Sequence, residues 1–172
     1  YHTDVAIALH RVYWLDFVYC PIGSGKWFQF KNHRWFEANQ GIDLRKAISK
    51  DFMRRFEAAR MHLSRQIHDS NDEAFKGNGE ITMKKITTLI GKLKTVSFKS
   101  SIMTESSEHF SHSRFMDLLD TNAELTGVTN GILEVSNHHV IFRTAKPEDH
   151  ISMCTNIPYH QNFSWQHPLV VE

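Results

Sequence analysis

The sequence predicts an α+β fold, mainly helical, with central helices and a small antiparallel β element near each end. Three observations predict it. Through the middle of the chain, apolar residues recur every three or four positions, as on one face of a helix. Ahead of that stretch, Phe17-Val18-Tyr19-Cys20, Trp27-Phe28-Gln29-Phe30 and Arg34-Trp35-Phe36 are short aromatic-rich runs divided by polar and glycine residues, the pattern of a β meander. Behind it, Gly131-Ile132-Leu133-Glu134-Val135 and His139-Val140-Ile141-Phe142-Arg143 flank a polar break at Ser136-Asn137, which reads as a second hairpin.

The elements follow in order. Thr3-Asp4 offers a capping hydroxyl and a first-turn acid to a helix ending near Tyr13. After the meander, Asp43 is expected to cap a long helix, with Leu44, Ile48, Phe52, Phe56, Ala59, Leu63 and Ile67 as one apolar stripe. The other face of that helix carries Arg45, Lys46, Lys50, Arg54, Arg55, Arg60 and Arg65, and reads first as a solvated face. Asp69-Ser70-Asn71-Asp72 and Gly77-Asn78-Gly79 together mark a loop. Further helices are expected over residues 80–94 and 98–110, with a short one over 113–119. Residues 147–172 hold three of the four prolines and little periodicity. The chain therefore divides into one domain, 1–160, and an extended connector, 161–172.

At 172 residues and 41% hydrophobic content the chain is long enough for a real core. No run reaches the roughly 18 apolar residues of a membrane span, and no secretory leader pattern is present. The start, Tyr1-His2-Thr3-Asp4, lacks Met, and the chain reads as a piece of something longer. Cys20 and Cys154 are expected to be free thiols in a reducing compartment. The net charge of +1 hides an asymmetry: residues 1–101 hold 17 Lys/Arg against 10 Asp/Glu, and residues 102–172 hold 3 against 9. Two readings stay open, a polyanion or basic partner outside the chain and neutralisation of one half by the other.

Gly23-Ser24-Gly25-Lys26 looks like the tail of a phosphate-binding loop, but the required spacing fails. The first glycine would fall on Cys20 and the magnesium-binding hydroxyl on Trp27, and strand-forming residues follow where a helix should open. A glycine turn is expected there. Among the twelve histidines, His109 and His112, and His138 and His139, are close in sequence, yet no ligand set with zinc spacing accompanies them. No nucleophile elbow is present, and Glu148-Asp149 after Pro147 reads as a turn or helix start. The expectation is no catalytic group, no metal and no cofactor in this chain.

Nucleic-acid binding has better support. Lys84, Lys85, Lys92, Lys94 and Lys99 fall in a stretch, 81–101, without an acid, and each could neutralise a phosphate. In the first meander Lys26, Lys31 and Arg34 alternate with Trp27, Phe28, Trp35 and Phe36, so that cations could track a backbone while Trp27 and Trp35 stack on bases. Only alternate side chains of a strand face outward, so at most half of these aromatics are available. Arg11 is a secondary candidate.

Three stretches together resemble a known domain: WFQFKNHRW (27–35) followed by DLRKAIS (43–49), LLDTNAELTGVTNGILEV (118–135), and FRTAKPEDHISMCTNIPY (142–159). Their order and spacing are similar to the connecting domain that precedes the superfamily 3 helicase module in poxvirus-type primase-helicases of nucleocytoplasmic large DNA viruses. The resemblance implies a primase before this domain and a hexameric AAA+ motor after it. ATP and magnesium would belong to that motor, and the setting would be a viral replication site in host cytoplasm. It transfers no catalytic residue. It marks Asn130, Gly131, Phe142, Arg143, Asp149 and Tyr159 as structural: a turn at Asn130-Gly131 where glycine accepts positive φ, and an Arg143–carboxylate contact. His150 stands where the family usually has an aromatic. The rival expectation is a protein–protein scaffold without nucleic-acid binding.

Overall fold

The computed structural model describes residues 1–23, 25–136 and 139–160. Helix α1 (His2–Tyr13) leads into a three-stranded antiparallel sheet, β1 (Phe17–Cys20), β2 (Lys26–Lys31) and β3 (Arg34–Ala38). A helical block follows: α2 (Ile42–Ala47), a π turn (Ile48–Phe52), α3 (Met53–Asp69), α4 (Glu73–Leu93), α5 (Val96–His109) and the short α6 (Phe115–Leu118). A second antiparallel sheet follows, with β4 (Leu125–Val128), β5 (Gly131–Ser136) and β6 (His139–Arg143) in that order, and a 3-10 turn (Pro147–Asp149) comes after it. The fold is α+β, as the sequence predicts. The expected connector, 161–172, lies outside the described residues.

The first sheet is buried on both faces, and its register explains how. Tyr19, Trp27 and Ala38 are cross-strand neighbours, as are Phe17, Gln29 and Phe36. This face meets the helices: Trp27 and Phe17 join Leu9, Leu44, Ile48, Phe52, Leu93 and Ile102 in the main core. The alternate positions Cys20, Phe28 and Trp35 form a second cluster with Phe115 of α6. Phe30 bridges this cluster to a third one under the second sheet, built on Ile132, Ala145 and Ile151. The free edge of β1 is also covered, since the Tyr19 amide donates to the Phe110 carbonyl and the His112 amide to the Tyr19 carbonyl, both at 2.8 Å.

The long helix expected after Asp43 is real but interrupted. Leu44, Ile48, Phe52 and Phe56 are each four apart. On a straight α-helix every such step rotates by about 40°, so three steps would carry Phe56 away from the core. The π turn at Ile48–Phe52 widens the helix and takes up that rotation. Leu44 and Ile48 are fully buried, Phe52 nearly so, and Phe56 packs against them. Asp43 does not cap: α2 starts at Ile42 after Gly41, and the Asp43 carboxylate accepts from Lys31 and Lys46 at 3.2 Å each. Nor does Thr3 cap α1, whose N-cap position is Tyr1; its hydroxyl donates to Glu105 at 3.1 Å.

The largest departure is at the expected loop. Helix α4 begins at Glu73, because the Asp72 carboxylate accepts the amides of Ala74 and Phe75 at 2.9 and 3.1 Å. Gly77-Asn78-Gly79 is therefore helical. At Gly79 the two helices approach closely: a Cβ there would lie 2.6 Å from Cγ1 of Ile67. The second sheet also has one strand more than the expected hairpin, since the short run Leu125–Val128 pairs with β5.

Candidate nucleic-acid interface

Gly25 sits at φ +70° and its amide donates to the Ile22 carbonyl at 3.4 Å. Lys26 opens β2 rather than a helix, and its ammonium is 2.8 Å from Glu37. A left-handed glycine, no helix N-terminus and a lysine already paired make a strand-to-strand turn. Ser24 lies outside the described residues.

The aromatic–basic meander does not present bases with a stacking surface at its tryptophans. Trp27 and Trp35 are only 7% and 4% exposed. Trp27 packs on Tyr19 and Phe110, and Trp35 on Phe30 and Phe115, with its Nε1–H donating to the Pro147 carbonyl at 2.8 Å. This corrects the stacking expectation for both. The reason is the double-sided burial: each alternate set of side chains has its own cover. The cations nearby are also engaged. Lys26 pairs with Glu37, Lys31 with Asp43, and the Arg34 guanidinium lies 4.4 Å from the centre of the Phe36 ring. Asp43 is held below the usual carboxylate range, chiefly by its hydrogen bond from Lys31 and then by that from Lys46.

The five lysines of 81–101 do not form one patch. Lys84 and Lys85 are exposed on α4, and Lys94 is exposed just past its end. Lys92 lies over the rings of Tyr1 and Phe98, 4.8 and 5.8 Å from their centres. Lys99 points to the π turn and donates to Ser49 at 3.0 Å. Arg11 is exposed on α1.

Helix α3 carries the basic face that reads from sequence as solvated. No residue of this 17-residue helix is buried, and it packs along α4 as one leg of a helical hairpin. Among the described residues, no carboxylate lies within ion-pair range of Arg54, Arg65, Lys84, Lys85 or Lys94. Arg55 is different: it pairs with Asp51 at 3.1 Å, and Asp51 also accepts from the Tyr13 hydroxyl at 2.7 Å. Asp51 is pushed down by those donors, and burial together with Asp51 raises the Tyr13 phenol. The legible signal was the scarcity of acid: between Arg45 and Arg65 the only carboxylates are Asp51 and Glu57.

The resemblance-marked residues meet around the second sheet. Arg143 holds Asp149 through both guanidinium nitrogens, at 2.9 and 2.8 Å, and Glu134 through Nε at 2.7 Å. Burial works to raise the Asp149 carboxyl, but Arg143 and the Lys146 amide outweigh it and hold it below the usual range. The side chain of Asn130 brackets the backbone of Tyr159, donating to its carbonyl at 2.8 Å and accepting its amide at 2.9 Å. The Tyr159 ring lies against Phe142, 5.1 Å between centres. Gly131 is not needed for positive φ, contrary to expectation. It sits in strand β5, where a Cβ would lie 2.5 Å from the Arg143 carbonyl oxygen and 2.8 Å from the Phe142 ring. Nearby, Asp120 accepts the amides of Ser152 and Met153 at 2.8 and 3.0 Å and the Ser152 hydroxyl. Those donors outweigh burial and keep it ionised below the usual range.

Among the described residues, no three His, Cys, Asp or Glu side chains are grouped to hold a metal, and no helix is long and apolar enough to cross a membrane. Cys20 is buried and Cys154 half-buried, both as thiols. His138 lies outside the described residues.

The model of the family described as D5 N terminal like matches residues 6–170. The chain belongs to that family. It is 29% identical over 160 residues to "Putative helicase L207/L206" of Acanthamoeba polyphaga mimivirus, covering 92% of this chain and 16% of that protein. It is 24% identical over 181 residues to "Putative helicase 022R" of Frog virus 3, covering 87% of this chain and 18% of that protein. The chain thus spans under a fifth of the length of these viral relatives. Family membership bears out the resemblance, and the viral relatives that the chain matches are named putative helicases.

Proposed function

We propose that this domain is a non-catalytic part of a viral replicative primase-helicase. It links a primase to an AAA+ motor, helps assemble the motor's hexameric ring, and contacts DNA with the exposed lysines of α4. ATP and magnesium belong to the motor, and the work is done at a viral replication site in host cytoplasm. The reading rests on family membership across residues 6–170. Its DNA arm rests on Lys84 and Lys85, which are exposed and have no carboxylate in ion-pair range among the described residues. Lys92 and Lys99 drop out of that arm because each is committed to partners inside the domain. Such a contact is sequence-blind and weakens with salt as bound counterions are released.

The test is fluorescence anisotropy of a labelled single strand titrated with the chain at 50, 100 and 200 mM salt. The result expected is binding that weakens as salt rises, and weakens further in Lys84→Glu/Lys85→Glu. No binding at the lowest salt would leave the scaffold reading, in which the domain only packs protomers and the lysines meet an acidic neighbour.

A further inference from the structure

The α3 outer face raises a question that the lysines of α4 do not answer. Its contact face toward α4 is fixed by Leu63 and Ile67, which lie against Gly79. At about 100° per residue, Arg65 falls about 180° from the middle of that face, and Arg54 about 160°. Arg54, Ala58, Met61 and Arg65 then form one exposed row, spaced four, three and four residues apart. Lys84 and Lys85 lie about 140° and 120° round α4 from Gly79 by the same arithmetic. Each helix of the hairpin thus turns a basic face away from the other.

We propose that this α3 face is a second, independent track for a nucleic-acid phosphate backbone, an inference that rests on the DNA-contact reading above. Three observations favour a polyanion over a protein. Arg54 and Arg65 have no carboxylate within ion-pair distance among the described residues, Asp51 reaching Arg54 only through the longer-range field, whereas Arg55 next to Arg54 is paired with Asp51. Between them the row offers small Ala58, so a backbone can come close to the helix. The only large apolar side chain in the row is Met61, 55% exposed, and a stable protein interface needs an apolar centre that this face lacks. Guanidinium groups also bind phosphate oxygens with two parallel hydrogen bonds.

The experiment is the salt dependence of binding to a labelled single strand for wild type, Arg54→Gln/Arg65→Gln, Arg54→Lys/Arg65→Lys and Lys84→Gln/Lys85→Gln. Far-ultraviolet circular dichroism and sedimentation run alongside. Two lost phosphate contacts should lower the log–log salt slope by about 1.4 and the affinity on the order of tenfold. The lysine variant should keep the α3 contribution, and the Arg→Lys variant should stay within about threefold of wild type. Should the double glutamine variant fail to fold, Arg65→Gln alone, remote from Asp51, should lower the slope by about 0.7. A wild type that does not bind at 50 mM salt overturns both readings. Binding whose slope is unchanged in Arg54→Gln/Arg65→Gln overturns this inference alone and leaves the α4 contact standing. Loss of self-association in that variant, with unchanged DNA affinity, overturns it too and assigns the ridge to a second copy.

Discussion

The first sheet and the α3–α4 hairpin carry the same kinds of residue to opposite ends. Both are rich in Lys and Arg, and the sheet adds the aromatics that make a stacking surface plausible on paper. In the sheet every such group has an internal partner: Trp27 and Trp35 are core, Lys26 and Lys31 sit on Glu37 and Asp43, and Arg34 lies on Phe36. In the hairpin, no residue of α3 is fully buried, and Arg54, Arg65, Lys84 and Lys85 have no ion-pair partner among the described residues. Composition identifies basic surface; only pairing tells which charge remains for an outside ligand.

The largest effect is expected at Trp35. Trp35→Ala should cost about 3–5 kcal/mol in stability, because a buried indole between two clusters leaves a cavity. Thermal unfolding followed by circular dichroism measures it. Weaker DNA binding at an unchanged melting temperature would instead make Trp35 a stacking residue.

Glycines sharpen the account of the hairpin. Gly79→Ala should destabilise by about 1–3 kcal/mol, since the new Cβ meets Ile67. Gly77→Ala and Gly91→Ala meet nothing within 4 Å, and each should stabilise by about 1 kcal/mol through helix propensity. Chemical denaturation of the three variants distinguishes them. Equal effects at all three sites would mean that α3 and α4 do not pack as described.

A comparable effect is expected at Arg143. Arg143→Gln leaves Asp149 with a side chain 10% exposed and short of two donors, at a cost of about 1–3 kcal/mol. Asp149 and Asp120 are both held below the usual carboxylate range, so each contributes stability that is present above about pH 4 and lost as pH falls through the lowered value. The acid limb of a stability–pH curve should be shallower in Arg143→Gln. His10 adds a step of the same sign at higher pH. Burial and the nearby His109 push its imidazole down, so stability should fall as pH drops below about 6.5.

The smallest change is expected at the sheet's exposed ion pairs. Lys26→Ala/Lys31→Ala should alter stability by no more than about 1 kcal/mol per pair and leave DNA affinity near wild type. Titration of the labelled strand checks the second part.

Much of this fold was legible because its signals are local. Alternating aromatics marked β1 to β3, a 3–4 spacing marked the helices, and Asn130, Phe142 and Arg143 stood in a recognisable order. The covering of the sheet's second face was not legible, because it depends on Phe115, Ile132 and Ile151 returning from 80 or more positions away. The loop expected at Gly77-Asn78-Gly79 failed for a related reason: Gly79 answers to Ile67 across the hairpin, not to its own backbone. The π turn could have been read from four apolar residues spaced strictly by four, a period longer than an α-helix allows. The α3 ridge was visible as charge; the pairings of Lys46 and Arg55 follow from acids three and four residues before them, whereas the partner of Lys31 lies twelve positions away and appears only in three dimensions.

The most direct test of the central claim sets the two basic regions against each other. Single-strand binding would be measured across salt for wild type, Lys26→Ala/Lys31→Ala/Arg34→Ala in the sheet, and Arg54→Gln/Arg65→Gln/Lys84→Gln/Lys85→Gln in the hairpin. The expected result is an unchanged log–log slope for the sheet variant and a slope lower by about 3 for the hairpin variant. A slope that falls in the sheet variant and holds in the hairpin variant would contradict it.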